Sequence, residues 1–313
     1  MNRLPGRLEH ARAAMALAVV CAVAGLWQPQ ASAAESATAL HAKYDSLSDV
    51  LLATEFRRPI HLDSRVEDGS ASGDAYAVVD YPFSTATAAL GMAPNWCDVL
   101  ILHFNVKFCQ VGVEGNSPLL DVRIGRKFEQ PLRKAYQVNF AYSEISRTSQ
   151  FLHVRLGSEE GPLSTSNYRI VLQAVPVSDG RTFIHLSYAY DFGTASKLAM
   201  NVYLGTLGRN KVGFSVEGAE SDGQPRYVRG MRGAIERNAM RYYLAIEAYL
   251  GAMSVPAQQQ IEKRLMDWFE ASERYPLQLR EMERDEYLEI KRREISRQQS
   301  AMLTSQPLVT GLQ

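Results

Sequence analysis

The sequence lacks the motifs on which covalent, metal or phosphate chemistry is usually built. No G-x-S-x-G element seats a nucleophilic serine, no H-E-x-x-H pair offers two zinc ligands, and no Gly-Lys-Ser/Thr run cradles a phosphate. An excess of charge of either sign is missing too. The 34 Lys and Arg residues balance 34 Asp and Glu, which speaks against general nucleic-acid binding, because that rests on a basic surface. Cysteine is scarce, with 3 residues in 313. Beyond the first segment no apolar run approaches the ~20 residues of a membrane span. Hydrophobic residues nevertheless make up 46%, enough to offset chain entropy and exclude wholesale disorder. The length fits one large domain or two small ones.

The chain opens on an address. Arg3, Arg7 and Arg12 give a positive start, Ala13 to Trp27 form an apolar run too short to span, and Ala31 and Ala33 supply an A-x-A cleavage pattern. Residues 1–33 therefore read as a secretory signal peptide, and Val20 before Cys21 disfavours a lipid-bearing cysteine. Its removal leaves 31 basic and 33 acidic side chains on a product expected in the periplasm. Cys97 and Cys109 remain, and an oxidising compartment invites a disulfide between them. One straight strand would hold them ~40 Å apart, so a bond requires a turn, such as a helix ending near His103 and a strand from Asn105. Two buried free thiols are the alternative.

Leu40, Tyr44, Leu47 and Leu51 fall on one face and predict a helix over 38–54, within an N-terminal segment 34–58. Strand-like runs at 59–66 and 74–81 flank the turn cluster 67–73. Two short helices follow, at 85–90 and from Pro94. Six alternating runs then predict strands at 105–113, 119–124, 135–142, 150–156, 167–175 and 181–191. Their short connections favour antiparallel neighbours and one long meander. A helix over 194–204 and a strand over 211–216 precede the clearest helix, 228–253. There Met231, Ile235, Ala239, Tyr242, Ile246, Tyr249 and Met253 form an apolar stripe, with Arg232, Glu236, Arg237 and Arg241 on the other side. Residues 254–302 read as a charged helical hairpin with a sparse stripe at Ile261, Leu265, Trp268 and Phe269, and 303–313 as a flexible tail.

Asp80-Tyr81-Pro82-Phe83-Ser84-Thr85 resembles a first sheet segment running into a first short helix. Trp96 stands where a second short helix carries an aromatic, and Gly230 to Leu250 resembles a gripping helix. On these features and the order of elements, residues 59–253 resemble the START-like (SRPBCC) helix-grip superfamily. The fold class expected is α+β, a curved antiparallel sheet around a long C-terminal helix, with a helical extension. The insertion at 192–227 and the extension depart from the usual pattern.

The resemblance implies an internal cavity between sheet and helix for a lipid, sterol, polyketide or other apolar molecule, with Met231, Tyr242 and Ile246 near its middle. A solid core is the alternative. His153, Arg155 and His185 become polar anchors if their strands point them inward. Arg229 heads an arginine cluster with Arg226, Arg232, Arg237 and Arg241, suited to a headgroup or carboxylate or, more simply, to surface salt bridges. The insertion, with Gly193, Gly205, Gly208 and Gly213, is the candidate lid. The expectation is a periplasmic binding or carrier protein for an apolar or amphiphilic small molecule, requiring no metal and no cofactor, and making at most transient contact with a membrane surface. Two other readings stand beside it: a cyclase- or hydrolase-type enzyme using Tyr188, Tyr190, Asp191 or His185, and an assembly partner or self-associating protein working through 257–300.

Overall fold

Alternation along the strands sorts the side chains onto two faces. In β8 (Arg181–Phe192), Ile184, Leu186, Tyr188, Tyr190 and Phe192 enter the main core, while Phe183 joins a second cluster behind the sheet. A computed structural model describes residues 33–53, 56–194, 197–198 and 210–305, with side chains through 302. The expected signal peptide lies outside the described residues except for Ala33. Most of the expected helix 194–204 and of the tail 303–313 lies outside them too.

The elements run α1 (Ala33–Leu52), β1 (Ile60–Glu67), β2 (Ser70–Val79), α2 (Phe83–Leu90), α3 (Ala93–Leu100), β3 (Val106–Glu114), β4 (Ser117–Ile124), β5 (Tyr136–Arg147), β6 (Leu152–Glu160), β7 (Thr165–Val177) and β8. A two-stranded ribbon, β9 (Val216–Ala219) with β10 (Pro225–Tyr227), comes next. The helices α4 (Gly230–Ala252), α5 (Ala257–Glu273), α6 (Pro276–Leu279) and α7 (Arg284–Ser305) follow. One antiparallel sheet has the order β1-β2-β8-β7-β6-β5-β4-β3. Strands β3 to β8 form the expected meander, and the β1–β2 hairpin docks against its last strand.

The long helix α4 crosses the inner face of this sheet, and the fold is the expected α+β helix-grip arrangement. Its seat on β2 is close: a side chain at Gly73 would start 3.2 Å from Ile235. On the outer face α1 lays Leu40, Leu47 and Leu51 over Val78, Phe151, Val175 and Phe183, the stripe read from its spacing. Cys97 on α3 and Cys109 on β3 form the disulfide, with Cα atoms 5.2 Å apart, because the chain turns between Leu100 and Val106.

Several boundaries differ from expectation. Strand β2 begins at Ser70, since Asp68-Gly69 alone makes the turn and pairing with β8 continues from Ser70 opposite Asp191. No strand occupies 211–215; the ribbon starts at Val216. The last helix is broken between Leu279 and Arg284.

The extension is part of the domain. Trp268 of α5 and Tyr287 of α7 are fully buried and stack at 5.2 Å. Helix α7 also covers the sheet edge at β3. The Cys109 amide donates to Gln298 Oε1 at 3.0 Å, and Lys291 Nζ donates to the carbonyls of His103 and Val106 at 2.7 Å. An open edge would otherwise invite pairing with another chain. Of the two roles open to the stripe Ile261, Leu265, Trp268 and Phe269, covering the sheet domain or pairing with another copy, the structure shows it packed into the domain's own core. No helix among the described residues is long and apolar enough to cross a membrane.

Candidate functional site

Inward positions of neighbouring strands bring a set of tyrosines to one place. Tyr168 comes from β7, Tyr188 and Tyr190 from β8, and Tyr242 meets them from α4, while Tyr142 of β5 enters the same core three strands along from Tyr188. The Tyr168 ring stacks on Tyr190 at 5.2 Å, Tyr188 lies 5.4 Å from Tyr242, and His103 stacks on the far side of Tyr242 at 5.2 Å. Tyr142 donates to the Gly91 carbonyl at 2.7 Å, and the Tyr168 hydroxyl bonds Thr165 Oγ1 at 2.9 Å.

These rings keep a little accessible surface. Tyr142, Tyr168, Tyr188 and Tyr242 keep 8, 8, 7 and 9% of their surface accessible, whereas Leu172, Leu186 and Ile246 beside them keep none. The rings are thus enclosed less completely than the aliphatic side chains around them, in an interior that is otherwise close-packed.

Burial sets the protonation of this lining. Desolvation pushes Tyr142 up to about 12, with Glu144 adding to it, and raises Tyr188, Tyr190 and Tyr242 above the usual phenol range. His103 is held well below its ordinary value, first by burial and then by Arg241 and Lys291, so its ring is neutral at physiological pH. Its Nδ1 accepts the Asn105 amide at 3.1 Å. The arrangement offers rings and neutral hydroxyl donors, the composition of a site for an apolar molecule with a few polar groups.

A buried carboxylate anchors the N-terminal part of α4. Glu236 of α4 accepts from Phe214 N at 2.6 Å, Ser215 N at 2.9 Å, Ser215 Oγ at 2.7 Å and Ser64 Oγ at 2.5 Å. It thereby ties the end of the insertion to the helix and to β1. Gly213 and Gly233 meet backbone to backbone, and a Cβ on Gly213 would lie 2.8 Å from Gly233 Cα and 2.5 Å from Glu236. Gly213, one of the four glycines of the candidate lid, sits at the close contact between the insertion and α4. Gly205 and Gly208 lie outside the described residues.

The residues expected at the site divide. Tyr242 faces the interior, Ile246 is fully buried in the same core, and Met231 packs half-buried against it. Arg229 stands exposed at the N-terminal end of α4. His153, Arg155 and His185 do not meet there: Leu152, Val154, Leu156, Ile184 and Leu186 take the inward positions, and these three point to the outer face. The register sets His153, Gln173, His185, Tyr76 and His61 side by side across that face. His185 bonds Asp74 at 2.7 Å and Gln173 at 3.2 Å while Tyr76 stacks on it at 4.4 Å. Asp191, named for the enzyme reading, also faces outward, bonded to Asn167 at 2.7 Å.

Of the arginine cluster, Arg237 and Arg241 are buried, not surface residues. Arg237 donates to the Val212 carbonyl at 3.0 Å, and Arg241 pairs with Glu281 at 2.5 Å. Sequence reading missed Tyr142, Tyr168 and His103. Tyrosine at alternate positions of a strand was the available signal, but it is equally the signal of ordinary β-propensity. Among the described residues no group of three or more His, Cys, Asp or Glu side chains is placed to hold a metal ion.

No family model matches this chain, and no curated protein does. Solved structures similar in fold include norcoclaurine synthase from Thalictrum flavum, at 15% identity over 46% of this chain and 91% of that one, with a TM-score of 0.33. Another is human StAR-related lipid transfer protein 5, at 9% identity over 70% of this chain and 99% of that one, with a TM-score of 0.34. At these TM-scores the likenesses add no argument to the one made by the strand order and the gripping helix.

Proposed function

We propose that the protein binds an apolar or amphiphilic, lipid-like small molecule between the inner face of the sheet and α4, and acts as a carrier in the periplasm. The observation that carries this reading is the cluster of Tyr168, Tyr188 and Tyr242 between sheet and α4, buried yet keeping residual surface. An apolar ligand entering there gains roughly 25 cal/mol per Å² removed from water, and the phenols orient whatever polar group it bears. The secretory reading of residues 1–33 and the core disulfide support an oxidising compartment.

Native mass spectrometry with organic extraction, on protein purified from its own periplasm without detergent, tests the binding. A stoichiometric co-purified apolar molecule is expected. A clean apo mass, together with no rise in melting temperature across a lipid panel, overturns the reading, because a ligand of the folded state must stabilise it. The same spectrum tests the location: the expected chain starts at residue 34, and recovery of the uncut chain from the cytoplasm contradicts it.

A further inference from the structure

Behind α4, on the side turned away from Tyr242, a second concavity opens. Leu244, Ala248 and Gly251 of α4 face Lys263, Asp267 and Ala271 of α5 across a groove of about 590 Å³, within the range of small-molecule sites. Small side chains make the room. A Cβ on Gly251 would already lie 3.3 Å from the Tyr81 hydroxyl and 3.6 Å from Asp267.

The charges in the groove are unevenly satisfied. Arg58 is paired with Glu247, which also accepts from the Tyr243 hydroxyl. Lys263 is paired with Asp267 at 2.8 Å. Arg57 and Arg274, reaching the same groove from the α1–β1 connection and from the end of α5, have no carboxylate partner among the described residues. Arg57 holds a left-handed backbone, φ 54°, a conformation that costs a non-glycine residue energy. Asp80, at the end of β2, also lines the groove and pairs with no cation among the described residues. Two guanidinium groups and one carboxylate, all three exposed, thus line the groove without an ion-pair partner among the described residues.

We propose that this groove binds a small soluble zwitterion, its anionic group held by Arg57 and Arg274 and its ammonium by Asp80. Guanidinium groups take phosphate or carboxylate oxygens in pairs, and the free carboxylate selects against a plain anion. The site is independent of the interior reading, since it lies on the opposite side of α4 and shares none of the tyrosine lining.

Isothermal titration of the full chain with O-phosphoethanolamine tests it, with ethyl phosphate and ethanolamine as its two halves. Saturable one-to-one binding, stronger than to either half, is expected. The double variant Arg57→Ala/Arg274→Ala should weaken it about tenfold or more at unchanged melting temperature. Asp80→Asn should erase the preference over ethyl phosphate while leaving ethyl phosphate binding intact. The surface control Arg126→Ala/Arg133→Ala should change nothing. Absence of saturable binding at millimolar concentration overturns the proposal. So does an equal loss in the control variant, which would mean an adventitious ion only. Equal affinity for ethyl phosphate and O-phosphoethanolamine in the parent chain overturns the zwitterion assignment.

Discussion

Glu236 shows how one side chain can hold a whole segment. Its carboxylate is fully buried and receives bonds from Phe214, Ser215 and Ser64. Glu236→Ala leaves two amides and two hydroxyls without an acceptor and should cost about 3 kcal/mol, with Glu236→Gln losing less. Urea unfolding measures the loss, and limited proteolysis should show new cleavage between 210 and 229. Parent-like stability and resistance in the Ala variant would mean that the clamp is dispensable. The disulfide joins residues 12 apart, a closure worth about 3 kcal/mol in the chain-entropy account. Cys97→Ser/Cys109→Ser should show a loss of that size in the same assay. The Cys pair was legible because two cysteines admit one pairing. Glu236 was not, since a glutamate on a charged helix face reads as solvated until other elements cover it.

Elements tell a similar story around α4. Its apolar stripe correctly announced a helix against a sheet, and the charged side opposite was read as surface. In the structure that side is covered by the end of the insertion, where Glu236 meets Phe214 and Ser215 and Arg237 meets Val212, and by the segment after α6, where Arg241 pairs with Glu281. Helix α7 buries Lys107 of β3 against Glu294 at 3.0 Å. Ending the chain after Met253 would strip partners from Arg241 and Lys107, bare the outer side of α4 and open the β3 edge. The shortened chain is expected to be insoluble or unfolded, checked by its solubility and far-ultraviolet circular dichroism. A soluble, natively folded chain ending at 253 would restore 257–300 to the role of a separate interaction surface. Breaking one buried pair is the milder test: Glu294→Ala should cost about 3 kcal/mol or more, because Lys107 and Lys291 both depend on that carboxylate.

For the whole molecule, the buried titratable groups predict a stability curve with two declines. His103 has its value held far below 6.5 in the folded state by burial. The unfolded chain therefore takes up a proton that the native state refuses, and stability falls as pH drops below 6.5. His61 and His153, lowered mainly by burial, act in the same direction. Lys127 and Lys291 are lowered by burial from the ordinary lysine value of 10.5 to about 8. Between those limits the unfolded chain again holds more protons, so stability rises with pH across that window. The tyrosines reverse the sign. Their folded values are raised, so the stability tied to them is complete below pH 10 and lost above it, as unfolded phenols ionise and buried ones cannot. Melting temperature against pH, followed with phenolate absorbance, should show the tyrosines ionising together with unfolding. His103→Gln should flatten the acid limb, and an unchanged limb in that variant would assign it to other groups.

By itself the sequence determined what depends on period and local chemistry. Eight strands, the stripes of α1 and α4, the turn between Cys97 and Cys109 and the amphipathic α5 follow from alternation, helical spacing and turn residues, all local properties of the chain. Only the tertiary structure decided which face of each strand is inside. A period of two separates the faces of β6 and β8 without saying which one α4 will cover, and so His153, Arg155 and His185 fell outside while Tyr168, Tyr188 and Tyr190 fell within. It also decided that the extension closes over Arg241 of α4, and that Gly213 packs against Gly233. Those outcomes depend on pairing register and on packing between segments far apart in sequence, where no local pattern reaches.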